Sequence, residues 1–198
     1  MPDPIQTLRT ELRARRRGVS VSDRADFSQQ ITQLLSQFSP FQQANRVALY
    51  VSTSEEVDTV PAIHMALEQG KELYLPVINT ENPSQSALLF ARYEDETTVM
   101  KPNHFGIPEP DCEIHECLQG LEMELVCVPL VGFNRACHRI GMGGGYYDRT
   151  FEKSSGKQAV RGAFLVGLAF ECQQVTFDAR AHDVPLDAVI TEQTIWQN

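Results

Sequence analysis

Residues 139–149 carry the side chains and spacing with the clearest chemical potential in this chain. They read Arg-Ile-Gly-Met-Gly-Gly-Gly-Tyr-Tyr-Asp-Arg and hold four of the 12 glycines within five positions. Glycine costs about 0.5–1 kcal/mol in regular structure, so this density indicates a backbone that turns sharply or approaches a ligand closely. Successive N–H groups in such a turn bind anions, and a helix starting at Tyr146 or Tyr147 would add its positive end. The pattern therefore predicts either a phosphate site or a tight connection without a ligand.

Charged side chains beside the glycines favour a phosphate site. Arg139 and Arg149 place a cation at each end of the run, and guanidinium groups bind phosphate oxygens in pairs. Asp148 adds a carboxylate that could hold Mg²⁺ beside a phosphate chain. The spacing is neither the Rossmann Gly-x-Gly-x-x-Gly nor a Walker loop, which needs Lys-Ser/Thr after its last glycine. Spacing alone therefore leaves the kind of phosphate ligand open.

A second cationic feature lies in the first 24 residues, which hold six arginines against three acidic residues. The whole chain is acidic, with a net charge of −9 and a pI near 5.0, which argues against a surface that follows a nucleic-acid backbone. Arg9 and Arg13 are spaced i, i+4 and would share one helix face, which Arg16 or Arg17 would extend. This stripe is either a contact for a phosphate chain or a solvated run of charge.

The surrounding pattern is that of an α/β fold. One helix should begin at Pro4 after an Asp3 cap, and a second should follow Ser22 and present an apolar stripe over residues 27–38. Strands are predicted at residues 47–51, 73–77, 87–93, 125–131, 163–170 and 188–190. The first two enclose a helix, which is the βαβ pattern of a parallel sheet. We predict a single three-layer domain over residues 1–198, with a mostly parallel central sheet and ligands at its carboxyl edge.

Composition indicates the class of protein and the compartment in which it works. The 42% hydrophobic and 22% charged content is typical of a globular chain. Its five cysteines form no Cys-x-x-Cys pair, so neither a disulfide framework nor a zinc site is predicted. No apolar run approaches the roughly 18 residues that a membrane helix needs, and the first residues lack the apolar region of a signal peptide. We expect a soluble, cytoplasmic monomer with no membrane and no nucleic-acid partner.

The order of several motifs resembles one known family, the 5-formyltetrahydrofolate cyclo-ligases, also known as 5,10-methenyltetrahydrofolate synthetases. The family pattern is Pro, a short apolar link, Phe-Asp, and Arg-Leu-Gly-x-Gly-x-Gly-Tyr-Tyr-Asp. It is matched here by Val-Pro-Leu-Val-Gly-Phe-Asn at 128–134 and by the glycine run. Other matching motifs are Glu-Val-Asp-Thr at 56–59, Gly-Ile-Pro-Glu-Pro at 106–110, and His-Asp-Val at 182–184 followed by Asp187. The matches keep the family's order from residue 8 to residue 191.

The resemblance implies an ATP-dependent ring closure that converts 5-formyltetrahydrofolate to 5,10-methenyltetrahydrofolate, with release of ADP and phosphate. ATP would be the co-substrate and Mg²⁺ the cofactor. In this reaction the formyl oxygen takes the γ-phosphoryl group, N10 attacks the activated carbon, and phosphate departs. Such chemistry depends mainly on positioning and charge neutralisation. The alternatives are a sugar-phosphate isomerase or acyl-CoA transferase on a related scaffold, or a non-catalytic regulator that binds a nucleotide or folate.

The resemblance also implies which residues bind ATP and metal. The predicted ATP-binding residues are Arg9, Arg13, Arg139, Ile140, Gly141, Met142, Gly143, Gly144, Gly145, Tyr146 and Tyr147. The predicted catalytic residues are Arg139, Tyr147 and Asp148. Asp148 and Asp183 would bind Mg²⁺, although Asp183 also fits a turn or cap before a strand. Family members commonly carry lysine where this chain has Ile5 and Gly144, so Arg149 or the N-terminal arginines would have to replace those cations.

The resemblance to the family implies a second set of residues, which would bind the folate. This set is Val51, Glu56, Phe105, Gly143, Gly144, Gly145 and Tyr146. A carboxylate such as Glu56 can accept the paired N–H donors of a pterin's amino-pyrimidinone edge. Phe105 fits either stacking on a folate ring or packing in the core, and Val51 fits either the pocket or a strand core. Whether Tyr146 or Tyr147 faces the ligand is left open.

Overall fold

The computed structural model describes residues 4–79, 87–152, 162–180 and 183–198. The helices are α1 (Pro4–Arg17), α2 (Val21–Gln37), α3 (Ser39–Gln43), α4 (Val60–Glu68) and α5 (Tyr146–Phe151). The strands are β1 (Arg46–Ala48), β2 (Glu72–Ile78), β3 (Leu88–Arg92), β4 (Met100–Pro102), β5 (Pro108–Pro110), β6 (Leu118–Gln119), β7 (Leu125–Pro129), β8 (Gly132–Phe133), β9 (Arg139–Ile140), β10 (Phe164–Leu168), β11 (Ala188–Ile190) and β12 (Ile195–Gln197). No helix among these residues is long and apolar enough to cross a membrane.

The main sheet of the described residues has eight strands in the order β12-β11-β10-β7-β1-β2-β3-β6. The five strands from β11 to β2 run parallel, and β12, β3 and β6 are antiparallel to their neighbours. Two short antiparallel ribbons, β4-β5 and β8-β9, lie outside this sheet. The predicted α/β fold with a mostly parallel sheet is therefore confirmed.

Apolar side chains cover both faces of the sheet. On one face α2 and α4 contribute Ile31, Leu35 and Ile63 to the larger part of the core. On the other face the short helix α5 contributes Phe151, and irregular segments contribute residues such as Leu186. The continuous apolar runs predicted as buried strands are β7 and β10, which pair with each other in the middle of the sheet.

Helix α1 packs on the β8-β9 ribbon rather than on the main sheet. Its Leu12 is fully buried against Val131 and Ile140, and Ile5 and Leu8 pack beside them. This is the i, i+3, i+7 stripe read from the sequence, and the helix begins at Pro4 as predicted. The proposed cap, Asp3, lies outside the described residues. Packing through Leu12 therefore fixes the arginines of α1 relative to the ribbon that leads into the glycine run.

Two local predictions need correction. The cap of α2 is Ser20 and not Ser22, because the Ser20 hydroxyl accepts the N–H of Asp23 at 3.1 Å and the helix begins at Val21. Strands β1 and β7 end at Ala48 and Pro129, short of the predicted residues 51 and 131. The apolar runs continue beyond the paired residues because the chain stays buried after it leaves the sheet.

We expect Leu12→Ala to lower the free energy of unfolding by about 2–5 kcal/mol, because it leaves a cavity between α1 and the β8-β9 ribbon. Leu121→Ala removes the same atoms from an exposed side chain and is the matched control, with an expected change within about 0.5 kcal/mol. Denaturant titration measures both. Equal losses in the two variants would show that α1 is not docked through Leu12.

Candidate active site

The glycine loop, residues 141–145, joins β9 to α5 and needs glycine at two positions. Gly143 and Gly145 have φ angles of 109° and 66°, in the region that side-chain-bearing residues rarely adopt. A Cβ on Gly145 would also lie 2.6 Å from Nη1 of Arg149. Gly145 directly precedes Tyr146, the first residue of α5. The glycine density of the sequence therefore serves a sharp turn into a helix.

Arginines from α1 and α5 hold the carbonyl groups of the glycine loop. Nε of Arg9 donates to the carbonyl of Gly141 at 2.8 Å, and Nη2 of Arg149 donates to that of Gly144 at 2.5 Å. Arg13 makes a longer contact with Met142. In the part of the chain that the structure describes, the N–H groups of residues 142–144 donate no hydrogen bond. The loop thus has its carbonyls bound to cations and its N–H groups open to an anion.

Arg139 and Asp148 form a tightly bonded ion pair beside the loop. Nη2 of Arg139 lies 2.6 Å from Oδ1 of Asp148, and Nη1 donates to the carbonyl of Val184 at 2.7 Å. The N–H of Val184 donates to the same Asp148 oxygen at 3.2 Å. The Arg139 side chain is only 4% exposed. The second oxygen of Asp148, Oδ2, takes part in none of these bonds and is available to a cation.

A cavity of about 260 Å³, the smaller cavity, opens on one side of this pair. Four arginines line it, namely Arg9, Arg139, Arg149 and Arg180. Their combined positive charge suits a polyphosphate better than an uncharged ligand. Ile5 also lines this cavity, so the position where family members carry lysine does face the candidate phosphate site.

The smaller cavity is lined by three acidic residues, Asp148, Glu152 and Asp183. Asp148 and Asp183 both line it, and Asp183 also caps a turn by accepting the N–H of Arg180 at 2.9 Å. No cluster of three or more His, Cys, Asp or Glu side chains suited to a metal occurs among the described residues. Mg²⁺ commonly takes one or two protein carboxylates and completes its shell with water and substrate phosphates. This donor set therefore fits a Mg²⁺ that shares its ligands with a phosphate chain.

A cavity of about 480 Å³, the larger cavity, lies on the other side of the loop. Of the predicted substrate residues, Val51, Glu56, Phe105, Gly144, Gly145 and Tyr146 line it, whereas Gly143 lines the smaller cavity instead. Residues to which the sequence analysis gave no role also line it: Tyr50, Thr53, Pro76, Ile78, Leu88, Asn103, Ile107, Pro108 and Pro129. Three of these, Ile107, Pro108 and Pro129, lie in the motifs that match the family. Arg139, Gly141, Gly145 and Asp148 line both cavities. The two spaces therefore meet at the glycine loop and its ion pair.

Glu56 is the buried acid of the larger cavity. It is 7% exposed, and its Oε2 accepts the N–H of Thr53 at 2.8 Å and the hydroxyl at 3.0 Å. Its Oε1 lies 3.9 Å from Nη1 of Arg16.

The prediction that Arg16 or Arg17 extends the stripe toward phosphates is wrong, since both bind Glu55. Arg16 follows Leu8 and Leu12 at i, i+4 spacing, a signal that could have placed it on the buried face.

The aromatic residues at the mouth of the larger cavity are placed for contact with a ligand. Phe105 is 57% exposed and meets Tyr146 edge to face at 6.0 Å between ring centroids, so core packing is not its role. Tyr146 and Tyr147 both line the cavity. Val51 lies past the end of β1 and is half-buried at the cavity wall. Val51 also packs against the main core, so it fits both of the positions predicted for it.

Burial sets the protonation state of two phenols in the larger cavity. Desolvation by burial raises the pKa of Tyr147 far above its usual value, and the negative charge of Glu56 adds to the effect. The same two causes, in the same order, raise the pKa of Tyr50. Both side chains therefore stay neutral and act as hydrogen-bond donors through the physiological range.

Comparisons with known proteins identify the family. The fold and the two adjoining cavities, one cationic and one apolar with a buried acid, are those of a chain that matches a family of enzymes. Residues 4–192 match the model of the 5-formyltetrahydrofolate cyclo-ligase family, and the chain belongs to that family. The predicted resemblance is thereby confirmed.

Relatives match along nearly the whole chain. The 5-formyltetrahydrofolate cyclo-ligase of Haemophilus influenzae is 37% identical over 182 residues, 91% of this chain and 94% of that protein. The Escherichia coli K12 protein of the same name is 32% identical over 187 residues, which are 94% of this chain and 99% of that protein. The NMR structure of Aquifex aeolicus 5,10-methenyltetrahydrofolate synthetase superposes with a TM-score of 0.79 at 26% identity and covers 98% of this chain and 92% of that one.

We expect Tyr147→Phe to leave the phenolate absorbance of the folded protein unchanged up to about pH 11, because the native Tyr147 phenol does not ionise there. In denaturant the variant should lose one phenolate equivalent, which is the internal control. Because the folded pKa exceeds the unfolded value near 10, the free energy of unfolding should fall as pH rises above about 10. If the folded variant lost one equivalent of phenolate absorbance relative to the folded wild type, the burial of the Tyr147 phenol would be contradicted.

Proposed function

We propose that this chain closes the ring of 5-formyltetrahydrofolate to give 5,10-methenyltetrahydrofolate and uses ATP to do so. The observation that carries the proposal is the meeting of a four-arginine cavity with an apolar, acid-containing cavity at Arg139 and Asp148. A reaction that transfers a phosphoryl group to a folate needs the two reactants side by side. Family membership supplies the identity of the reactants.

The triphosphate of ATP would bind in the smaller cavity. Gly143, whose N–H group is open, lines this cavity and would face phosphate oxygens, and Arg9, Arg139 and Arg149 would neutralise their charge. Arg13, which contacts Met142 and does not line the cavity, would add its charge from outside it. Asp148 and Asp183 would hold Mg²⁺ on the phosphate chain. When bound there, Mg²⁺ supplies additional neutralisation of charge that develops on the transferring group. Family members commonly carry lysine at the positions of Ile5 and Gly144. In this chain Arg149 and Arg180 would supply positive charge to the cavity instead.

The folate would bind in the larger cavity, whose volume lies in the range of small-molecule sites. Glu56, with Oε1 directed away from the Thr53 bonds, would accept the N–H donors of the pterin edge. Phe105 and Tyr146 would contact a ring of the folate from the mouth of the cavity. Val51 would form part of the apolar wall.

The chemistry would take place beside the residues that both cavities share. The formyl oxygen attacks the γ-phosphorus of ATP and ADP departs; N10 then bonds to the formyl carbon, the C–O bond breaks, and phosphate leaves with the N10 proton lost to solvent. Arg139, fixed by Asp148 and Val184, would stabilise the charge on the transferring phosphoryl oxygens. Tyr147, kept neutral by burial, would donate a hydrogen bond there. Positioning by these groups accounts for the catalysis.

We further propose a single-domain, cytoplasmic monomer that uses these small molecules alone and has no nucleic-acid or membrane partner. One continuous sheet runs through the described residues. All five cysteines are free thiols, which suits a reducing compartment.

The direct test mixes the purified protein with MgATP and 5-formyltetrahydrofolate and follows the methenyl chromophore and ADP. We expect one ADP for each methenyl product and no product when either reactant is omitted. Binding of both ligands without product would instead indicate a regulator. Product formed without nucleotide, or nucleotide consumed without the folate, would contradict the proposed reaction.

We expect Asp148→Asn to lower kcat by about 100-fold or more at saturating MgATP, and thermal unfolding should show a variant that is destabilised but folded, because the buried Arg139 loses its charged partner. The amide retains an oxygen for Arg139 and Val184 but loses the charge that would bind Mg²⁺. Glu152→Gln is the matched control, because it removes a charge from the same cavity without an assigned role. Steady-state rates at varied Mg²⁺ measure the effect, and full activity of the Asn variant would remove Asp148 from the metal site.

A further inference from the structure

Arg16 is a buried cation in a helix whose neighbouring arginines are exposed. It is 2% exposed, and among the described residues its Nε has no hydrogen-bond partner. Its other nitrogens reach Oε2 of Glu55 at 3.2 Å and the carbonyl of Leu130 at 3.5 Å. Burial of a guanidinium is costly unless it is paired, so a position on the core face of α1 calls for an explanation beyond packing.

The group that Arg16 faces is the acid of the larger cavity. Nη1 lies 3.9 Å from Oε1 of Glu56, and both groups are buried. The hydrogen bonds that Glu56 accepts from Thr53 end on Oε2. Oε1 is therefore left to a ligand on one side and to the Arg16 charge on the other. Without Arg16, Glu56 would keep its Thr53 bonds on Oε2 but would lose the charged group that faces Oε1.

The local backbone does not fix Glu56 by itself. Residues 49–59, between β1 and α4, form no helix or strand, so the direction of the Glu56 side chain depends on what it contacts. The contacts are Thr53 from the same segment and Arg16 from α1, 40 positions away in sequence. Arg9, two turns earlier on α1, binds the glycine loop.

We propose that Arg16 is a positioning residue for the folate: it holds the Glu56 carboxylate directed at the pterin edge, and so sets the affinity for folate and not for ATP. This inference rests on the proposed function. Arg16 acts through Glu56 and does not touch the substrate. The planar guanidinium suits the task because it binds Glu55, the Leu130 carbonyl and Glu56 at once, which a single ammonium does less well.

The test is a double-mutant cycle on the KM for 5-formyltetrahydrofolate. Arg16→Gln should raise that KM about tenfold or more while the KM for ATP stays within about twofold, and Glu56→Gln should do the same. In the Glu56→Gln background, Arg16→Gln should add less than about a twofold change. Arg16→Lys keeps the charge and should recover much of the folate affinity.

The control is Arg17→Gln. Arg17 binds the same Glu55 carboxylate at 2.7 Å but is 63% exposed and does not reach Glu56, so neither KM should move by more than about twofold. Thermal unfolding of each variant identifies any that fail to fold, in which case the comparison of Arg16→Lys with Arg17→Gln decides.

Three outcomes would overturn the inference. They are a rise in both KM values together, equal effects of Arg16→Gln in the presence and absence of Glu56, or unchanged folate affinity in a folded Arg16→Gln variant. Calorimetric binding of 5-formyltetrahydrofolate serves as a second readout. If the wild type shows no turnover, the proposed function fails, whereas the Arg16 cycle can still be measured as binding.

Discussion

The ion pair between Arg139 and Asp148 is the contact on which the site depends. A guanidinium does not lose its charge on burial, so at 4% exposure Arg139 requires the carboxylate at 2.6 Å and the carbonyl of Val184. Such a pair contributes little net stability, but loss of one partner leaves a buried charge. Because Arg139 begins β9, the two-residue strand before the glycine loop, and Asp148 lies in α5 after it, the pair fixes both ends of the loop and thereby the wall between the two cavities.

Helix α1 supplies the second constraint. Leu12 packs it on the β8-β9 ribbon, and from there Arg9 reaches the glycine loop while Arg16 reaches Glu56. One rigid helix therefore contacts both proposed ligand sites. The arginines near the start of this acidic chain therefore have different surroundings: Arg9 and Arg16 make contacts inside the fold, whereas Arg17 is solvated.

The sheet and the glycine loop could be predicted because their signals are local. Apolar runs mark β7 and β10, and four clustered glycines mark a turn that needs positive φ. Helical spacing with Leu12 places Arg16 on the buried face, but its partners, 39 and 114 positions away, could not be predicted from the sequence. The β4-β5 ribbon was missed for a related reason: its prolines argue against regular structure, and its role in the larger cavity comes from long-range packing.

Simultaneous occupation of the two cavities is the central physical claim. The direct measurement is calorimetric titration of 5-formyltetrahydrofolate into protein already saturated with a non-hydrolysable ATP analogue and Mg²⁺. We expect one folate to bind per chain with affinity equal to or greater than that of the free protein, because Arg139 and Asp148 separate the two spaces. Competition between the two ligands, with folate binding abolished by the saturating analogue, would contradict the claim.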